Sequence, residues 1–174
     1  MLPVARSVRH DLPGRPHTAG MTSQSILDAL TSIWQDAGGT HELLVPGTRL
    51  WHCGRINSTE DIDNHRTLWT TRDESKRLNY SAFAQYASDW TDPPAAAIEL
   101  QTCTELIAAD FAGASLLDFT REHCDCKHPL MSRALRDWCL SRGFNAAVRL
   151  NGGHDEVAVA SPRTSLQVVV CIPL

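Results

Sequence analysis

The residues best able to do chemistry stand at three separated places in the chain. The first is His52, within Thr48-Arg49-Leu50-Trp51-His52-Cys53-Gly54. A histidine at the end of a short apolar strand can form the floor of a pocket. A glycine after it lets a ligand approach the backbone, whose peptide groups can then bond it directly. The second is Thr70-Thr71, closing the run Thr67-Leu68-Trp69-Thr70-Thr71, with Tyr80 shortly beyond. The third is Glu156, after Asn151-Gly152-Gly153-His154-Asp155. Each also has a plain structural explanation: a satisfied core histidine, strand threonines, a packed tyrosine and a solvated hairpin carboxylate. Trp51 and Trp69 read as core or pocket wall.

A fourth group, Glu122-His123-Cys124-Asp125-Cys126-Lys127-His128, gathers zinc-type ligands. Cys-x-Cys with immediately flanking histidines cannot easily wrap one ion tetrahedrally, and no second cysteine pair follows at ribbon spacing. A polar loop is the expectation there, with a zinc-stabilised surface as the alternative. Pairing Cys53 with a distant histidine as a nucleophile rests on residue type alone.

These residues need a scaffold, and 174 residues suffice for one domain with a proper core. Hydrophobic residues make up 43% and charged residues 21%, ordinary for a soluble globular chain. A net charge of −4 argues against general attraction to nucleic acid or acidic membranes. No apolar run is long enough to cross a bilayer. Met1 to Gly20 lacks the apolar region of a secretory signal, so the six cysteines are expected to be free thiols in a cytosol.

Residues 1–21 hold Pro3, Pro13 and Pro16, three arginines and one acid, Asp11. They read as a flexible leader, whether for delivery, as a linker, or as an over-extended start before Met21. The domain is then 22–174. Ile26, Leu27, Leu30, Ile33 and Trp34 predict a helix over Thr22–Ala37, capped by Ser23 or Ser25 and ended by Gly38-Gly39. Strands are expected around His52, at Thr67–Thr71, at Ala95–Thr102, at Phe144–Leu150, at Glu156–Ala160 and at Leu166–Ile172. Asp73 should cap a helix running to about Ser88. Residues 104–119 suggest a short helix, then a strand around Leu116–Phe119. Pro129 opens a helix with Leu130, Met131, Ala134, Leu135, Trp138 and Cys139 on its apolar stripe and Gly143 at its end. Asn151-Gly152-Gly153 signals a hairpin. Elements in this order favour an α+β fold over a doubly wound sheet.

Leu-Trp-His-Cys-Gly, then Leu-Trp-Thr-Thr-Arg before a Tyr- and Ala-rich helix, then Gly-Phe-Asn-Ala-Ala and Asp-Glu-Val-Ala-Val together resemble the ADP-ribosyltransferase fold. The likeness is to the small bacterial toxin and effector members of its His-Tyr-Glu branch, and it spans roughly residues 43–172. It implies a split β-sheet core with flanking helices and NAD as substrate. By that resemblance His52 would bond the adenosine ribose. The backbone at Cys53 and Gly54 would hold the nicotinamide amide. Thr70 and Thr71 would shape the site, Tyr80 (or Tyr86 behind it) would stack on nicotinamide, and Glu156 would bond the 2′-hydroxyl of the nicotinamide ribose.

The chemistry fits those residue types. Breaking the nicotinamide–ribose bond builds an oxocarbenium-like cation, which one fixed carboxylate can stabilise. Nicotinamide leaves as a neutral amide from a cationic ring, so a second carboxylate acting as acid, as glycosidases commonly use, is not required. The resemblance further implies a macromolecular acceptor, protein rather than nucleic acid, or water in a glycohydrolase. It also implies action in a cytoplasm, the chain's own or that of a target cell, and an inhibitor or immunity partner. The arginine-modifying branch carries an acid two positions before its glutamate and an arginine on its first strand. Here those positions hold His154 and His52, which argues against arginine as acceptor. An RNA 2′-phosphotransferase of the same fold and a non-catalytic interaction module remain the alternatives.

Overall fold

The computed structural model describes residues 22–77, 96–116, 128–150 and 155–173. Helix α1 (Ser23–Asp36) begins where Thr22 Oγ1 accepts the Ser25 amide at 3.2 Å. The cap is therefore Thr22, and not Ser23 or Ser25 as expected. It ends at Gly38 and Gly39, with φ of 104° and 61°, backbone that a side chain would resist. Eight strands follow: β1 (His41–Leu44), β2 (Arg49–Gly54), β3 (Leu68–Thr71), β4 (Ala96–Thr102), β5 (Leu106–Asp110), β6 (Ala146–Val148), β7 (Glu156–Val159) and β8 (Leu166–Pro173). Helix α2 (His128–Ser141) lies between β5 and β6, and the single turn α3 (Pro162–Ser165) precedes β8.

The strands form one sheet in the order β1-β5-β6-β7-β3-β2-β4-β8. Among the described strands only β5 and β6 run parallel, as the α2 crossover between them requires. Alternation gives the sheet two apolar faces. On the outer one, Ala109, Ala147 and Ala158 pack with Ile26 and Leu30 of α1 and with Leu135, Trp138 and Cys139 of α2. Three small alanines in a row let both helices approach the strands closely. On the inner face, Leu44, Leu106 and Ala108 share one cluster with Leu50, Ile98 and Leu100. Those residues come from opposite halves of the sheet, so the sheet must curl around them. Arg72, after β3, reaches Glu42 on β1 across the same interior.

The α+β class holds. Several local expectations change. β1 (His41–Leu44) is a strand where none was expected from the sequence. A strand, β5, occupies 106–110 where a short helix was expected, and residues 117–119 lie outside the described residues. β6 is only Ala146–Val148: Phe144 instead stacks on Trp138 at 5.9 Å, and Arg149 leaves the strand at a φ of 54°. Cys53, Cys103, Cys139 and Cys171 are free thiols; Cys124 and Cys126 lie outside the described residues, as do the leader and the Asn151–Gly153 turn. No helix among the described residues is long and apolar enough to cross a membrane.

Trp138 holds the outer core together. It is 1% exposed, lies 5.4–5.9 Å from the rings of Phe111, Trp34 and Phe144, and donates its indole N–H to Thr31 Oγ1 at 3.0 Å. Trp138→Ala should cost about 3–5 kcal/mol in urea unfolding. Val169→Ala, at a side chain 47% exposed, should stay within about 0.5 kcal/mol. Similar small losses in both would mean that the helices do not pack on this face.

Candidate functional site

β3 is paired with β7 at four positions, from Leu68↔Val159 to Thr71↔Glu156. β2 is paired with β4 at six, from Arg49↔Gln101 to Gly54↔Ala96. Between β2 and β3 a single position, Trp51↔Thr71, is paired. The sheet is continuous, yet it has a seam.

A regular ladder would next oppose Cys53 to Trp69 and give the Trp69 carbonyl a backbone N–H. Here the His52 ring takes that carbonyl instead, with Nδ1 donating at 2.8 Å. A buried carbonyl needs a donor, and the imidazole supplies one where the ladder fails. Burial pushes the His52 imidazole below its ordinary range, and Arg66 adds to the effect, against the Trp69 bond that favours the charged form. The ring is therefore neutral at pH 7, and its proton sits on Nδ1. Nε2 keeps its lone pair and has no hydrogen-bond partner among the described residues.

Gly54 is explained by the same ring. A Cβ added there would lie 2.5 Å from His52 Nε2 and 3.0 Å from Cδ2. The expectation that Gly54 opens the backbone to a ligand meets this fact: the space of its missing side chain is filled by His52. Cys53, between them, is buried, and burial raises its thiol above the ordinary range. That makes it a poor nucleophile at neutral pH.

Directly paired residues share a face of the sheet. Glu156, Thr71, Trp51 and Glu99 therefore form one row across β7, β3, β2 and β4. Thr71 and Glu156 are immediate neighbours, with Glu156 half-buried. Trp51 is buried and stands as a wall, with the Arg49 guanidinium 5.6 Å over its ring and bonded to Glu99 at 2.6 Å. The 3-10 turn Glu74–Arg77 packs on β2 and β3 beside them. Thr71 Oγ1 accepts the Asp73 amide at 3.1 Å.

Thr70 faces the other way and donates its hydroxyl to the Val157 carbonyl at 2.9 Å. That bond locks β3 to β7. His52 also lies on the inner face, across from Ile98. The structure thus brings Thr71 and Glu156 together and sets His52 on the opposite side of the seam. Tyr80, Tyr86 and residues 123–127 lie outside the described residues. Among the described residues no group of three or more His, Cys, Asp or Glu could hold a metal ion.

Two outcomes follow. Gly54→Ala should displace the His52 ring and cost about 1–3 kcal/mol, the loss of a bond that satisfies a buried carbonyl. In a His52→Ala background the same change should cost under about 0.5 kcal/mol, because nothing remains to clash. Equal costs in both backgrounds would refute the coupling. The second concerns acid. Because the folded imidazole binds its proton less readily than the unfolded one, its stabilisation is complete above the unfolded value of about 6.5 and is lost as pH falls below it. Between pH 7 and 5 the parent should lose stability more steeply than His52→Gln; parallel slopes would show that His52 titrates normally.

No family model matches the chain, and no curated protein or solved structure matches it significantly.

Proposed function

We propose that this chain is an ADP-ribosyltransferase-like enzyme that takes NAD at the β2–β3 seam, breaks the nicotinamide–ribose bond, and passes ADP-ribose to a macromolecule or to water. The observation that carries this reading is the register at the seam. Thr71 and Glu156 are a direct cross-strand pair, and Thr71 is also the single residue that pairs β3 to β2. Motifs more than a hundred residues apart in sequence thereby fall on three adjacent strands, β7, β3 and β2. The curled sheet with its narrow seam is compatible with a split-sheet core.

In this reading Glu156 stabilises the cation as the glycosidic bond lengthens, and Thr71 fixes the strand that presents it. Trp51 walls the site. The His52 Nε2 lone pair accepts a hydroxyl, as the motif resemblance implies for the adenosine ribose. Because His52 and Glu156 flank the seam from opposite faces, contact with both requires the seam itself to be the slot. The dinucleotide would complete a ladder that the protein leaves unfinished. A protein acceptor suits the chain's acidic balance better than nucleic acid does, and an inhibitor or immunity partner would act by covering the slot.

Glu156→Gln keeps the size of the side chain and removes its charge. Nicotinamide release should fall on the order of a hundredfold to a thousandfold, about 3–4 kcal/mol of barrier. NAD affinity, measured by calorimetry, should change far less, since the cation exists only near the transition state. The melting temperature should barely move. Parent-like turnover in Glu156→Gln would place the carboxylate elsewhere, and a parent chain that never releases nicotinamide would end the proposal.

A further inference from the structure

β2 and β3 are antiparallel neighbours in the sheet. A tight turn of about two to five residues commonly joins such a pair, and the ladder then closes up to the turn. Here residues 55–67 make the connection, and they leave the pair altogether. Ile56 and Ile62 are buried in the inner cluster with Leu50, Ile98, Leu100 and Leu166. Between them, Asp61 Oδ2 accepts the Asn57 and Ser58 amides, each at 3.0 Å, and folds the segment into a strap.

The strap is tied to the β8 side of the sheet. The Cys171 thiol donates to the Ile56 carbonyl at 3.3 Å. The Val168 amide donates to Thr59 Oγ1 at 3.3 Å. Arg163, in α3 just before β8, donates from Nε to the Ile62 carbonyl at 3.1 Å. Its Nη2 donates to the Ile62 and Glu60 carbonyls at 2.9 and 2.8 Å. A guanidinium presents its donors in a rigid fork, so this residue sets where both carbonyls lie.

The other end of the connection is tied to a different body. Thr67 donates its amide and its hydroxyl to the Ser132 carbonyl of α2, at 3.1 and 3.3 Å. Trp69 donates its indole N–H to Ser132 Oγ at 2.8 Å. The exit of β2 is thus drawn toward β8 on the inner face, and the entry of β3 toward α2 on the outer one. Closing the ladder between them would break one set of ties. His52, Ile98 and Cys171 are directly paired across β2, β4 and β8 and so share the inner face. The thiol that holds Ile56 therefore stands in the same row as the imidazole that bonds the Trp69 carbonyl.

We infer that Arg163 is a positioning residue: with Val168 and Cys171 it moors the β2–β3 connection to β8, and this mooring keeps the ladder open at Trp69 and fixes His52 in one orientation. The inference deepens the NAD-cleaving reading and rests on it for its purpose. The mooring itself is measurable without any turnover.

The test is imidazole 15N NMR on the full chain at neutral pH, with His52 assigned by His52→Gln. The parent should show His52 as a single tautomer, protonated on Nδ1. Arg163→Gln removes the fork, and His52 should then populate both tautomers, as an unconstrained neutral imidazole can. Arg163→Lys, which still carries donors for the two carbonyls, should restore most of the parent signal. Leu135→Ala weakens the outer core and should leave the tautomer as it is. A mixture there would show that any loss of stability has the same effect, which overturns the proposal. If Arg163→Gln does not fold, Cys171→Val makes the same test in the His52 row, since valine suits a strand and removes the donor. A single Nδ1 tautomer in Arg163→Gln, or in Cys171→Val where Arg163→Gln does not fold, overturns the proposal. Loss of the single tautomer in that variant, with no nicotinamide release by the parent, keeps the mooring and rejects the enzyme.

Discussion

Everything about the candidate site depends on one interrupted hydrogen-bond ladder. β2 and β3 meet at Trp51↔Thr71 and then part. Parting leaves the Trp69 carbonyl without its strand partner, and such a group left unmet costs about 1–3 kcal/mol. His52 meets it. That choice fixes the tautomer, buries the ring, lowers its proton affinity and forbids a side chain at Gly54. One backbone defect thus dictates the identity of two residues. At the seam a side chain, not a strand, satisfies the backbone.

The two cores explain how a sheet can keep such a seam. The helix-covered outer core grips β5, β6, β7 and part of β3, while β2 and β4 join β1 and β5 through the inner cluster. The inner cluster also ties the two sides of the seam together, because Leu50, Ile98 and Leu100 share it with Val157 and Val159 of β7 and with Leu68 of β3. Thr70 adds a bond from β3 to β7, and Arg49 adds one from β2 to Glu99 on β4. Strong pairing away from the seam makes weak pairing at it affordable.

Much of this was legible in the sequence, and what was not has physical causes. α1, α2 and the strands around His52, Thr70, Ile98, Glu156 and Val168 follow from periodicity and breakers. β1 and β5 do not: His-Glu-Leu-Leu has no alternation, and Leu-Ile-Ala-Ala-Asp carries alanines, which favour strands weakly. Their strand character comes from pairing with each other. At the candidate site, Thr71 and Glu156 share one face of the sheet, while Thr70 and His52 lie on the other. Thr70 and Thr71 are adjacent letters, yet one is spent inside the sheet and the other stands beside Glu156. The motif resemblance grouped His52 with Glu156, while the two-residue period of β2 turns His52 to the opposite face. The bonds from Arg163 to Ile62 join residues 101 apart, and no local pattern announces them.

The central claim is that the unfinished β2–β3 ladder is the NAD slot. Amide hydrogen exchange on the full chain, with and without a non-cleavable NAD analogue, measures this most directly. The account predicts that the analogue slows exchange in Trp51–Gly54 and Leu68–Thr71, with little change in α1 or in β8. Unchanged exchange along both seam strands under saturating analogue, or protection confined to another face, would contradict it.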